Sequence, residues 1–240
     1  PMFEGVWTAV VTPFAADLSL DLAAYRAVLD DQIAQGINGI VACGTTGEAS
    51  TLSDEEYLTV VRTAVEHCKG KVPVIAGAGS NNTRVAMEKQ RAMKELGVDG
   101  TLQVTPWYNK PSQEGLFQHF SAVVEAASVP TMLYNVPGRC SIDLLPETTG
   151  RLAKKYKDIV SIKEATGSIQ RAEATVAQIE RDDFSVMSGD DGLSAGMLSV
   201  GGHGVVSVIS HLCASEIAAL VAVYREGRTS EVPRLSNRFR

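Results

Sequence analysis

Lys163 closes the apolar run Asp158-Ile159-Val160-Ser161-Ile162-Lys163-Glu164-Ala165. Lysine is rarely buried without a partner, so its place there has two readings. Burial would lower the pKa of the ammonium and supply the neutral amine that attacks a carbonyl. Alternatively, the side chain snorkels to solvent and pairs with Glu164. The run alone leaves the two equal. Other chemistry-bearing residues end other apolar runs. In Cys43-Gly44-Thr45-Thr46-Gly47-Glu48, glycines let backbone amides approach a ligand while paired hydroxyls bond a carboxylate. A tight turn that caps a helix is the competing reading. Tyr108 lies within Thr105–Lys110, and Tyr134 opens the segment that runs to Arg139. Two tyrosines at one mouth could relay protons if a hydroxyl or charge stood beside them. They could equally be packing rings with wet hydroxyls.

Elements must bring these residues to one place. Short β-rich runs alternate with amphipathic segments along the whole chain. Strands are predicted at Val6–Val11, Ile37–Ala42, Val72–Ala76, Gly100–Val104, Thr131–Tyr134, Ile159–Lys163, Phe184–Met187 and Gly204–Val208. Near-continuous apolar runs of this kind suit parallel strands covered on both faces. Helices are predicted at Leu22–Gln35, Asp54–Lys69, Arg84–Leu96, Gln113–Ala127 and Ile169–Glu180. Ser53 with Glu56 forms a capping-box pattern, and Pro146 fits the first turn of a further helix. The expected fold is an α/β (β/α)8 TIM barrel, with an open doubly wound sheet as the rival. No G-x-G-x-x-G follows the first strand, which favours the barrel. In a barrel, the ends of the strands just named are where chemistry is found.

Composition narrows the function classes. The chain has 240 residues, 45% hydrophobic and 21% charged, with formal net charge −6. A negative balance without basic clusters argues against nucleic acid and against an anionic membrane surface as partners. No apolar run reaches the ~18 residues of a membrane span. The beginning of the chain runs straight into a strand pattern instead of a secretory signal, so a cytoplasmic location is expected. Cys43, Cys68, Cys140 and Cys213 form no C-x-x-C pair and read as reduced thiols. His67, His119, His203 and His211 form no ligand cluster, so no metal is expected. Ser188-Gly189-Asp190-Asp191 keeps a phosphosugar-binding barrel in play. Gly201–Gly204, in contrast, precedes its strand and falls at the opposite mouth as structural glycine.

Taken in order, GTTGE (44–48), AGAGSNNT (76–83), TPWYNKPSQEGL (105–116), YNVPGR (134–139), IKEATG (162–167) and SGDD (188–191) resemble the dihydrodipicolinate synthase family of pyruvate-dependent class I aldolases. The resemblance spans nearly the whole chain. It implies condensation of pyruvate with L-aspartate 4-semialdehyde to 4-hydroxy-tetrahydrodipicolinate, on the route to diaminopimelate and lysine. Lys163 would form the Schiff base, with no cofactor and no metal. Thr45, Tyr108 and Tyr134 match the proton relay, and Tyr108 would come from a neighbouring subunit of a homo-oligomer, at least a dimer. Thr46 and Gly47 match contacts to pyruvate, and Gly189 and Val206 match backbone contacts near the lysine. Arg139 matches the clamp on the semialdehyde carboxylate, where a planar guanidinium gives two parallel hydrogen bonds. N-acetylneuraminate lyase is the nearest rival, but Thr45-Thr46 and the arginine of YNVPGR favour the synthase. A non-catalytic keto-acid-binding paralogue is the other alternative.

Two departures from the family pattern carry expectations. The family continues past the barrel into a further group of helices, which is largely missing here. Residues 1–226 then form the catalytic barrel and 227–240 a polar remnant bearing Arg228, Arg234, Arg238 and Arg240, with higher assembly weakened. Lysine-inhibited members also place histidines, a glutamate and a tyrosine where this chain has Asp54, Tyr57, Val85 and Trp107, although Asn81 is kept. Weak or absent feedback by lysine follows.

Overall fold

Residues 1–237 are described by a computed structural model; Arg238 and Arg240 lie outside the described residues. The strands are β1 (Gly5–Ala9), β2 (Gly39–Ala42), β3 (Val74–Gly77), β4 (Gly100–Val104), β5 (Thr131–Asn135), β6 (Ile159–Glu164), β7 (Ser185–Ser188) and β8 (Gly204–Ser207). Each pairs in parallel with its sequence neighbour, and β8 returns to β1 through Gly5↔Gly204 to Thr8↔Ser207. That closure excludes the open sheet. Parallel strands with helices outside are buried on both faces, which is why their sequences are apolar without alternation.

The helices are α1 (Leu22–Ala34), α2 (Asp54–Cys68), α3 (Thr83–Leu96), α4 (Gln113–Ala126), α5 (Pro137–Cys140), α6 (Pro146–Lys155), α7 (Ile169–Ala177), α8 (Ser194–Ser199), α9 (Ser210–Arg225) and α10 (Val232–Ser236). Ser53 and Glu56 form the expected reciprocal cap on α2, and Pro146 occupies the first turn of α6. Helix α7 stops at Ala177, short of the predicted Glu180. Past it, the Arg181 guanidinium donates to the carbonyls of Ala153, Tyr156, Lys157 and Ile159, satisfying acceptors between the end of α6 and β6. Strand β2 begins at Gly39 and not Ile37, because the Asn38 side chain takes over the N–H of Val6.

Two kinds of core result. Inside the barrel, Trp7, Ile75, Leu102, Met132, Met187 and Val206 pack together, and Tyr134 joins them at the upper end. Outside it, apolar strand faces meet the helices: Ile40, Val60 and Leu29 on one side, Leu133, Ile162 and Leu116 on the other. The barrel interior is therefore filled by side chains and is a packed core, not a channel. Residues 227–237 are less idle than their polarity implies, since Leu235 of α10 is buried against Leu220 and Val223 of α9. No described helix is long and apolar enough to cross a membrane.

Candidate active site

A register shift sets the position of the lysine. Thr131 faces Ile159, but Met132 faces Ser161, so β6 gains one residue on β5. Without the shift Tyr134 would stand beside Ile162; with it, Tyr134 stands beside Lys163. Because successive side chains alternate faces, one residue decides whether an amine or a methyl group points into the barrel. Lys163 is 6% exposed, and its Nζ lies 4.3 Å from the centroid of the Tyr134 ring. Glu164 points the other way and accepts from the Thr166 N–H at 2.9 Å. Among the described residues Lys163 has no carboxylate partner, so the snorkelling pair does not occur.

Burial lowers the Lys163 ammonium from 10.5 to about 8. Asp191 opposes that change and Arg139 reinforces it, which places both charges within electrostatic reach of the amine. Burial also raises the Tyr134 phenol, with Arg139 acting in the opposite direction. Gly189 follows β7 at the closest approach to the lysine. A methyl group built there would come within 3.1 Å of Lys163 Cε and 2.5 Å of Ala165 Cβ. Val206 lies on β8 in the interior cluster beside Met187.

The loop after β2 supplies a second set of groups. Gly47 packs where a side chain would sit 3.0 Å from the Val10 carbonyl, and the Thr12 hydroxyl donates to the Gly47 carbonyl at 2.7 Å. Cys43 and Glu48 bracket the turn with positive φ of 50° and 56°, so the tight-turn reading is correct as far as it goes. The turn also leaves donors open. Gly47 and Glu48 donate back to Gly44 and Thr45, but among the described residues the N–H groups of Thr45 and Thr46 have no acceptor. Two amides and two hydroxyls without partners among the described residues are the kind of donors that suit an anion.

Arg139 sits on α5, immediately after β5, exposed and without an ion-pair partner among the described residues. No described side-chain hydrogen bond engages Thr45, Thr46, Tyr134, Arg139 or Lys163, although their polar atoms all belong to strand ends at one mouth. Tyr108 is set apart. It is 87% exposed at φ 72°, and its N–H donates to the Cys140 carbonyl while the ring extends away from the barrel. A positive φ on a bulky residue is a strained backbone conformation that its surroundings must hold. Sequence reasoning missed Asn135, Asp143 and Arg171, which lie behind β5 and β6. Only the proximity of Asn135 to Tyr134 could have hinted at it.

At the lysine-feedback positions, Tyr57 is buried, donates to the Gly77 carbonyl at 2.7 Å and carries Lys89 over its ring. The Asn81 amide donates to the Trp107 carbonyl and the Asn109 amide to the Asn81 carbonyl. No group of acidic, histidine or cysteine side chains suited to a metal occurs among the described residues.

The model of the dihydrodipicolinate synthetase family matches residues 2–240. A 4-hydroxy-tetrahydrodipicolinate synthase of Maridesulfovibrio salexigens is 48% identical over 225 residues, 94% of this chain and 76% of the relative. The synthase of Pelobacter propionicus is 47% identical over 234 residues, covering 98% and 80%. Among solved structures, the synthase of Methylacidiphilum fumariolicum SolV superposes with a TM-score of 0.95 at 44% identity, covering 98% of this chain and 78% of its own.

Proposed function

The chain belongs to the dihydrodipicolinate synthetase family, and from that premise we propose that it condenses pyruvate with L-aspartate 4-semialdehyde to 4-hydroxy-tetrahydrodipicolinate. The observation that carries this reading is Lys163, a buried amine lowered to about 8 beside Tyr134, on a strand end of the same barrel whose β2 loop leaves the Thr45 and Thr46 N–H groups without acceptors among the described residues.

The pyruvate carboxylate binds the Thr46 hydroxyl and the free amides of Thr45 and Thr46, next to Gly47. Neutral Lys163 attacks the ketone, and Tyr134 protonates the oxygen, which leaves as water to give an iminium. That cation withdraws electrons, so a methyl proton departs to Tyr134 and an enamine forms. The enamine carbon attacks the semialdehyde aldehyde while Arg139 holds its carboxylate by two hydrogen bonds. The aldehyde oxygen takes the proton. The product's own amine then displaces Lys163, closing the ring and regenerating the free enzyme. Thr45, and Tyr108 from a second copy in a homodimer, complete the path by which Tyr134 exchanges protons with solvent. The backbones at Gly189 and Val206 line the amine's pocket, and residues 1–226 form the catalytic unit. The chemistry is organic throughout, with Lys163 in the place of a cofactor.

Borohydride reduction with pyruvate, followed by peptide mass measurement, tests the reading. The expected result is a reduced adduct on Lys163 and turnover with aspartate semialdehyde. An adduct with turnover only on N-acetylmannosamine would make the protein a neuraminate-type lyase. An unmodified Lys163 would leave a binding protein.

Feedback by lysine is expected to be weak or absent. The buried, hydrogen-bonded Tyr57 and the apolar Val85 offer a ligand ammonium no carboxylate. A lysine titration should change the rate by less than about twofold, since no differential binding means no coupling. A saturable loss of most activity would contradict this.

A further inference from the structure

The register shift that brings Lys163 beside Tyr134 has a cost: the pairing is right at only one offset, and parallel strands tolerate such shifts rarely. Something must hold it. The residues following the two functional groups, Asn135 and Glu164, are the next register pair and point outward together. Asn135 Nδ2 donates to Asp143 Oδ1 at 2.9 Å, to the Leu144 carbonyl at 3.3 Å and to Glu164 Oε2 at 3.4 Å, while its Oδ1 accepts the Leu144 N–H at 3.0 Å. Every polar atom of this buried amide is thus engaged. Arg171, in the first turn of α7, closes on both oxygens of Asp143 at 2.7 and 2.8 Å. The Asp143 carbonyl accepts from Gln113 at 2.7 Å, and Gln113 opens α4 directly after the loop that carries Tyr108.

We propose that Arg171, Asp143, Asn135 and Glu164 are a positioning brace that locks the shifted β5–β6 register and so fixes Lys163 against Tyr134. None of the four touches the reacting atoms. Their placement distinguishes them from polar side chains scattered over the exterior. The bidentate pair is half-buried, the amide and carboxylate are buried, and the contacts join the segments behind Tyr134, Arg139, Lys163 and Tyr108. A slip of one residue would replace the amine by Ile162, and a smaller shift would still separate amine and phenol. Misplacement by about 1 Å can cost on the order of a hundredfold in rate.

The inference rests on the imine reading of Lys163, and the test separates the two. Asp143→Asn and Arg171→Met are compared with the native protein, with turnover normalised to the amount of Lys163 trapped by pyruvate and borohydride. Normalisation removes molecules that have simply unfolded. The brace requires turnover per trapped lysine to fall by about tenfold or more while KM for pyruvate moves less than about twofold. It also requires Arg171→Lys to recover part of the loss, because an ammonium still reaches one carboxylate oxygen. Glu164→Gln, which keeps the shape, carries the comparison should Arg171→Met not fold. Native turnover per trapped lysine in the folded variants would overturn the brace alone. No adduct on the native protein would overturn the imine reading and the brace with it.

Discussion

Lys163→Met is expected to leave a folded protein with no pyruvate adduct and with kcat/KM reduced by at least about a thousandfold, as for loss of a covalent nucleophile. Methionine keeps the unbranched apolar stem and fills the same buried space. Stability should hold or rise, because a buried, unpaired amine is removed from a site that burial already makes costly for a charge. The native enzyme carries the matching pH signature. At pH 7 an amine titrating at about 8 is neutral in roughly one molecule in ten, against roughly one in three thousand at 10.5. The rate of imine formation with pyruvate should therefore rise with pH and level off above about 8. The sign follows from the chemistry: the ammonium has no lone pair, so protonation at lower pH removes the nucleophile. Stopped-flow or borohydride-quench rates across pH 6 to 9.5 measure the limb directly. A limb still rising steeply near 10, or a Lys163→Met protein that turns over at a tenth of the native rate, would be incompatible with Lys163 as the nucleophile.

Much of this site could be read in the chain, and the parts that could not share a cause. Strands of continuous apolar sequence alternating with amphipathic helices, several of them capped, specify the barrel locally. Ser53 with Glu56 and Pro146 behaved as their local chemistry requires. The mouth then follows from topology, and the resemblance to the family is what named Thr45, Tyr134, Arg139 and Lys163 together. Whether Lys163 faced inward could not be read, because that depends on the shift at Ile159–Ser161, a property of two strands together. For the same reason the Asn135–Asp143–Arg171 contacts had no sequence signature. They join positions 8 and 28 residues apart whose residue types are common on any surface. Helix α7 ends short of the predicted Glu180, and Arg181 beyond it serves the carbonyls between α6 and β6, a role that no local pattern announces. Leu235 shows the same limit from the other side: one apolar residue in a polar tail packs because α9 offers it a place.

Tyr134→Phe separates the two roles that one side chain has been given. The ring packs in the barrel interior and lies 4.3 Å from the Lys163 ammonium, and phenylalanine retains both contacts. Only the hydroxyl is lost. Since that hydroxyl has no described hydrogen-bond partner, its removal leaves no orphaned donor or acceptor behind. Stability should change by less than about 1 kcal/mol. Catalysis should suffer far more, because carbinolamine dehydration and removal of the methyl proton both need a group that gives and takes a proton. Loss of a positioned acid–base group costs about 10²–10⁴ in rate, and we expect kcat to fall by at least about a hundredfold. KM for pyruvate should stay within about threefold, since its carboxylate is held by Thr45 and Thr46. The limb near pH 8 for trapping should persist, because the lysine keeps its burial and its ring. A variant with near-native kcat would reduce Tyr134 to a packing ring and shift the proton relay to Thr45 or to solvent. If instead the limb moves upward by more than about one unit with kcat lost, the hydroxyl's main effect is on the state of Lys163, and the two residues titrate as a pair.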